Sequence, residues 1–159
     1  MVKIWGDTMY TDTVTLFNRY QSRLGDTWYP SILHNVHLDM DKAAIIAKYG
    51  PESSDNAVLH VKYRTVDGKK MIGNKLWLPP KEWDAQPNDS FSTTLTFTDG
   101  TDFDFFMLGE WEGGEEPISD DDYMEGLYNE LNKRYDYVFA ITAVGGPYNT
   151  IPHFEIMGR

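Results

Sequence analysis

Histidines and carboxylates are the side chains here that could act on a substrate or hold a metal, and their spacing decides between those uses. The histidines are His34, His37, His60 and His153. His34 and His37 stand three apart, which would suit two ligands on one helix face. They fall in a run read as a strand, however, where they point to opposite faces. His60 lies in an alternating strand, solvent-facing or packed. His153 follows Pro152 at the mouth of the last apolar run, without the serine or carboxylate pattern of a triad. The chain has no cysteine, which removes disulfides, thiol catalysis and cysteine-ligated zinc. It has no Gly-x-Ser-x-Gly elbow and no phosphate-cradling glycine loop. "DDDYMEG" opens like a calcium loop, but with Gly126 at the loop glycine, Tyr123 takes the third ligand position and Asn132 the twelfth. Nothing in the pattern selects a glycosidase pair from 25 carboxylates. We therefore assign no catalytic, cofactor-binding or metal-binding residue.

The stretch "GEWEGGEEPISDDD" is different in kind. Around Trp111 it carries Glu110, Glu112, Glu115, Glu116, Asp120, Asp121 and Asp122, with Glu125 just beyond. Gly113-Gly114 should make it mobile, and no basic residue nearby in sequence neutralises the four glutamates. Unpaired buried charges cost several kcal/mol each, so the segment must lie at a surface.

The elements that hold these residues read as mainly β. "TVTLFNRY" (13–20) and "TWYPSILHNVHLDM" (27–40) are strands, and Pro30 puts the second at an edge or a bulge. "KAAIIAKY" reads as a further strand or one helical turn before a Gly-Pro break, with the strand preferred. "NAVLHVKYRTVDGKKMIGNKLWLPP" is a hairpin turning at Asp67-Gly68, and "PPKEWDAQP" is a short helical turn or loop. "FSTTLTFTDGTDFDFFML" reads as a second hairpin. A three-residue loop, Thr98-Asp99-Gly100, pairs Leu95 with Phe103, and Phe103, Phe105 and Met107 face the core. Residues 119–135 read as the one helix. Ser119 caps it, Asp120, Asp121 and Asp122 fill its first turn, and Lys133 and Arg134 its last. Tyr123, Met124, Leu127, Tyr128, Leu131 and Tyr135 make its apolar stripe. Two strands close the chain, at 139–144 and 154–157. The expected fold is one domain over residues 1–159. It is a small antiparallel β-barrel or sandwich with one helix before the C-terminal hairpin, and an acidic loop-helix insertion at about 109–135.

A chain of 159 residues buries roughly 68–70% of its unfolded surface, enough for a core without metal or disulfides. No apolar run reaches the roughly 18 residues of a membrane helix, and the first residues show no leader pattern. The net charge of −11 repels phosphate and argues against nucleic-acid binding through counterion release. Five Trp and ten Tyr suit half-buried sheets and protein contact surfaces.

Three segments carry a resemblance. "VTLFNRYQSRLGDTWYPSILHNVHL" resembles the opening of the small head–tail connector proteins of tailed bacteriophages and prophages, the head-completion or stopper proteins. "DFFMLGEWE" is similar to their acidic strand. "YDYVFAITAVGGPYNTIPHFEIMGR" resembles their closing hairpin, with "ITAV", a turn, "PHF" and a last strand ending in glycine and a basic residue. The chain departs from them in the turn Gly145-Gly146-Pro147-Tyr148-Asn149 and in a longer proline-rich middle segment.

The resemblance implies a virion structural protein, made in the bacterial host cytoplasm and free of cofactors. It would form a closed ring of about six or twelve copies between portal or adaptor and tail proteins. DNA would pass through without specific binding, and no membrane would be involved. Glu110, Trp111, Glu112, Glu115, Glu116, Asp120, Asp121 and Asp122 would then line the channel or the ring interface, where carboxylates keep phosphates from sticking. A tail terminator or other tail-side ring protein fits the same pattern. A non-viral acidic module binding a basic partner is the rival from another class, and a carboxylate hydrolase is the weakest reading. On this view "PHFEIMGR" is a seam strand, not a catalytic site.

Overall fold

The computed structural model describes residues 10–159; the first nine, read above for leader signals, lie outside the described residues. The fold is mainly β. The long strands are β1 (Asp12–Ser22), β2 (Gly25–Asp39), β3 (Ala57–Lys62), β8 (Phe105–Leu108), β10 (Val138–Tyr148) and β11 (His153–Gly158). Their antiparallel pairings run in the order β1–β8–β10–β11–β3–β2, and β2 pairs β1 again, so the order is cyclic. A two-residue strand β9 (Ile118–Ser119) adds to β2 at Thr27 and Trp28. Among the described residues Pro30 has β1 as its one strand neighbour, because β9 reaches only Trp28 and β3 begins pairing at His37, as its edge reading requires.

Both faces of this sheet are covered. Side chains alternate along a strand, so Val14, Leu16 and Phe106 enter one apolar cluster with Leu59, Phe154 and Ile156. Phe17, Phe105 and Met107 enter a second, on the opposite face, with Trp28, Leu127 and Leu131. Double coverage explains why "FFML" (Phe105–Leu108) reads as an unbroken apolar run.

A smaller sheet packs on the first cluster. It comprises β4 (Arg64–Val66), β5 (Lys69–Ile72), β6 (Lys75–Trp77) and β7 (Thr94–Leu95). The expected turn at Asp67-Gly68 joins β4 to β5, with φ of 53° and 77°, the left-handed pair a tight hairpin needs. Helix α2 (Pro80–Asp84) follows, anchored by buried Trp83, whose ring lies 4.8 Å from Phe91.

Three expectations are corrected. "KAAIIAKY" is helix α1 (Lys42–Tyr49), not a strand. The Asp41 carboxylate caps it by accepting from the amides of Ala43 and Ala44 at 3.0 and 3.4 Å, and Gly50 ends it at φ 103°. The second hairpin does not form: Leu95 pairs in parallel with Trp77, while β8 joins β1 and β10. Buried Asp104 redirects the chain there. It accepts from Asn18 Nδ2, the Arg19 amide and the Thr98 amide, each at 2.9 Å, and Phe103 is left only half-buried.

The third correction concerns residues 119–135. Helix α3 (Leu127–Arg134) precedes the C-terminal hairpin as expected, but Ser119 ends β9, Asp120–Asp122 form a single 3-10 turn, and Gly126 turns the chain at φ 87°. Ser119 makes no side-chain cap. Leu127 and Leu131 are fully buried and Tyr123, Tyr128 and Tyr135 pack beside them, whereas Met124 stands in solvent.

Candidate functional site

The acidic segment leaves β8 under restraint. Gly109 donates its amide to the Thr13 carbonyl at 2.8 Å. The Thr15 hydroxyl donates to the Gly109 carbonyl at 2.8 Å and accepts from the Trp111 amide at 2.9 Å. Trp111 is 7% exposed and its ring meets Phe17 edge-on at 6.0 Å. It is therefore an anchor in the second apolar cluster, not a channel or interface group of the surface. The turn Gly113-Gly114 wraps this indole: a Cβ on Gly113 would lie 2.5 Å from Trp111 Nε1. Gly113 provides the close approach, and Gly114, at φ 68°, the left-handed turn beside it.

The far end is pinned by Asp120. One carboxylate oxygen accepts from Trp28 Nε1 and from the Leu127 amide, both at 2.8 Å, and so caps α3 from seven residues upstream. Between the anchors, several glutamates meet basic side chains distant in sequence. Glu112 meets Arg134 at 3.1 Å, and Glu110 lies 3.7 Å from His34. Glu115 lies 3.5 Å from the ammonium of buried Lys75 and accepts from the Ile32 amide at 2.8 Å. Lys75 also donates to Ser31 Oγ at 2.8 Å and to the Pro30 carbonyl; burial pulls its pKa down and the Glu115 charge pulls it back up. Glu110, Glu112, Glu116, Asp121 and Asp122 keep exposed side chains. The expected site thus divides. Trp111, Asp120 and Glu115 are fasteners, and Glu110, Glu112, Glu116, Asp121 and Asp122 stay at the surface along the segment, Glu112 paired with Arg134.

A second group of ionisable side chains lies elsewhere, on the face of β2, β3 and β11 beneath α1. The strand register places His37 opposite His60 and His60 opposite Glu155. The two imidazoles stack at 5.4 Å and 28°. Glu155 receives Lys48 Nζ at 2.8 Å and the Tyr49 hydroxyl, and lies 3.4 Å from His153 Nε2. Burial pushes the Glu155 carboxyl up, but the hydrogen bonds from Lys48 and Tyr49 and the Lys48 charge outweigh it and hold it at about 2. Burial and the bond to Glu155 push Tyr49 up to about 12. Burial brings His60 down to about 4, against the attraction of Glu155. No set of three or more His, Asp or Glu side chains among the described residues is arranged to hold a metal ion. Its visible work is to fasten α1 to β11.

The model of a family of unknown function, DUF6751, matches residues 9–159. The chain belongs to that family. No curated protein and no solved structure matches it. Membership covers both ends of the chain, the acidic segment and the Glu155 group together, so the family's range includes every element described above.

His34 and His37 do not act as a pair. A bulge with Asn35 at φ 56° separates them, leaving His34 with Thr13 and Glu110 and His37 with His60 and Asp12. The Glu155 group was missed because its members come from four separate segments. The one sequence signal was alternation, which puts His60 with Lys62 and His153 with Glu155 on common strand faces. Register, which no spacing in the sequence states, brings them together. "PHFEIMGR" is the seam strand expected, between β10 and β3, and it also carries the carboxylate on which α1 docks.

Proposed function

We propose that the chain is a structural ring protein of a phage or prophage head–tail connector, acting by assembly and not by catalysis. The observation that carries this reading is the anchored acidic segment, which keeps Glu110, Glu112, Glu116, Asp121 and Asp122 at the surface. Its backbone is tied to β1, β2 and α3 through Thr15, Asp120 and Glu115. A flexible acidic tail would serve solubility equally well. Carboxylates on a rigid mount do something more particular: they present a set potential to whatever passes, and a duplex is kept from sticking to the wall. The mainly β fold and the similarity of the chain's two ends to connector proteins support the same reading. In the proposed ring Glu110, Glu112 and Glu116 line the bore, portal or adaptor and tail proteins lie on either side, and the protein is a virion component.

Electron microscopy of the purified full chain tests this. Closed rings with a central hole are the expected result. Monomers at every concentration, with no ring formed on adding the product of a neighbouring portal gene, would overturn it in favour of an acidic module for a basic partner.

A further inference from the structure

We infer that an apolar tip on one copy of this chain docks on the basic β4–β5 hairpin of a second copy. The inference rests on the ring reading and supplies its interface. The tip is formed where the β1–β2 turn meets the turn before α3. The two abut: a Cβ on Gly25 would lie 2.9 Å from the Asp121 carboxylate. Leu24 and Met124 project beside this contact, 94% and 102% exposed. Two large apolar side chains standing wholly in water at one junction are what a protein contact covers. Around them lie Asp121, Asp122 and Glu125, all exposed.

The complementary surface is the β4–β5 hairpin. The hairpin itself, residues 64–72, holds three basic residues, Arg64, Lys69 and Lys70, against the single acid Asp67. In a chain of net charge −11 this is a reversal of sign. Val66 stands 45% exposed at its end, between Arg64 and Lys69. Each patch therefore has an apolar centre with a rim of one charge, and the two rims are opposite. Tip against tip would oppose like charges, which selects the hairpin as the partner surface. Tip and hairpin are different surfaces, so a copy that receives a tip on its hairpin can dock its own tip on the next copy, the head-to-tail contact that propagates around a ring.

The test uses the full chain in sedimentation velocity and oxidative crosslinking. Leu24→Ser with Met124→Ser, and separately Lys69→Glu with Lys70→Glu, should each weaken self-association about ten-fold or more. Adding Asp121→Lys and Asp122→Lys to the lysine reversals should restore it. Because the chain has no cysteine, Val66→Cys with Met124→Cys should oxidise to a ladder of multimers beyond the dimer. A parent that forms rings while the variants assemble as well and give no ladder would overturn this interface and leave the ring reading standing. A parent that stays monomeric would overturn both, and the tip would belong to a basic foreign partner.

Discussion

Trp28 and Asp120 are joined by a 2.8 Å hydrogen bond from the indole to the carboxylate oxygen that also caps α3. A strand residue and a loop residue 92 positions apart thereby fix where the acidic segment ends. Asp120→Ala removes the cap and strands a buried indole N–H. We expect a loss of about 2–3 kcal/mol, with Asp122→Ala staying within about 0.5 kcal/mol of the parent. Urea unfolding of the two variants checks this, and equal midpoints would refute the fastening role.

Leu127 is fully buried on α3 against the sheet. Leu127→Ala should cost about 2–5 kcal/mol, while Met124→Ala at an exposed position should cost little. Thermal melts of both decide whether the stripe runs through Leu127 and Leu131 alone.

The His60 and Glu155 groups predict a pH dependence. His60 has a folded pKa of about 4 against an ordinary 6.5, so between those values the unfolded chain binds the extra proton and stability rises with pH. Glu155, at about 2 against 4.5, adds the same sign in the lower window: its contribution is present above 4.5 and is lost as pH falls toward 2. Asp104 acts oppositely. Burial pushes it up to about 7 against three N–H donors, so its ionisation costs stability as pH rises from 3.8. The readout is therefore the difference between parent and variant. His60→Gln should reduce the rise in stability between pH 4 and 6.5 by about 2 kcal/mol, the full shift being discounted for solvent screening of a partly exposed ring. Urea midpoints with the same slope in parent and variant would show that His60 titrates normally.

Glu110→Lys, Glu112→Lys and Glu116→Lys together reverse the exposed face and leave Glu115 to neutralise Lys75. The monomer should fold as the parent does. Particles assembled from it should retain DNA in a salt-sensitive way. If they package and eject DNA like the parent, the face does not line the bore. Glu115→Lys, by contrast, should destabilise the monomer itself, since it sets a second cation against buried Lys75.

Alternation, turn residues and one helical stripe made the β class, the Asp67-Gly68 turn, the closing strands and the packing of Leu127 legible in the sequence. These are local signals, and local backbone chemistry fulfils them. The short run Lys42–Tyr49 was ambiguous because eight residues with one fully buried side chain carry too little periodicity; the Asp41 cap decided it. The sequence also showed that residues 110–122 are acidic and must reach a surface. Only the tertiary structure decided which acids remain free there, because Lys75, Arg134, Trp28 and Thr15 reach the segment from four distant places. The same holds for Glu155. Its partners Lys48, Tyr49 and His153 meet it through strand register and helix docking, and both are set by burial of the apolar faces rather than by any spacing of the charged residues themselves.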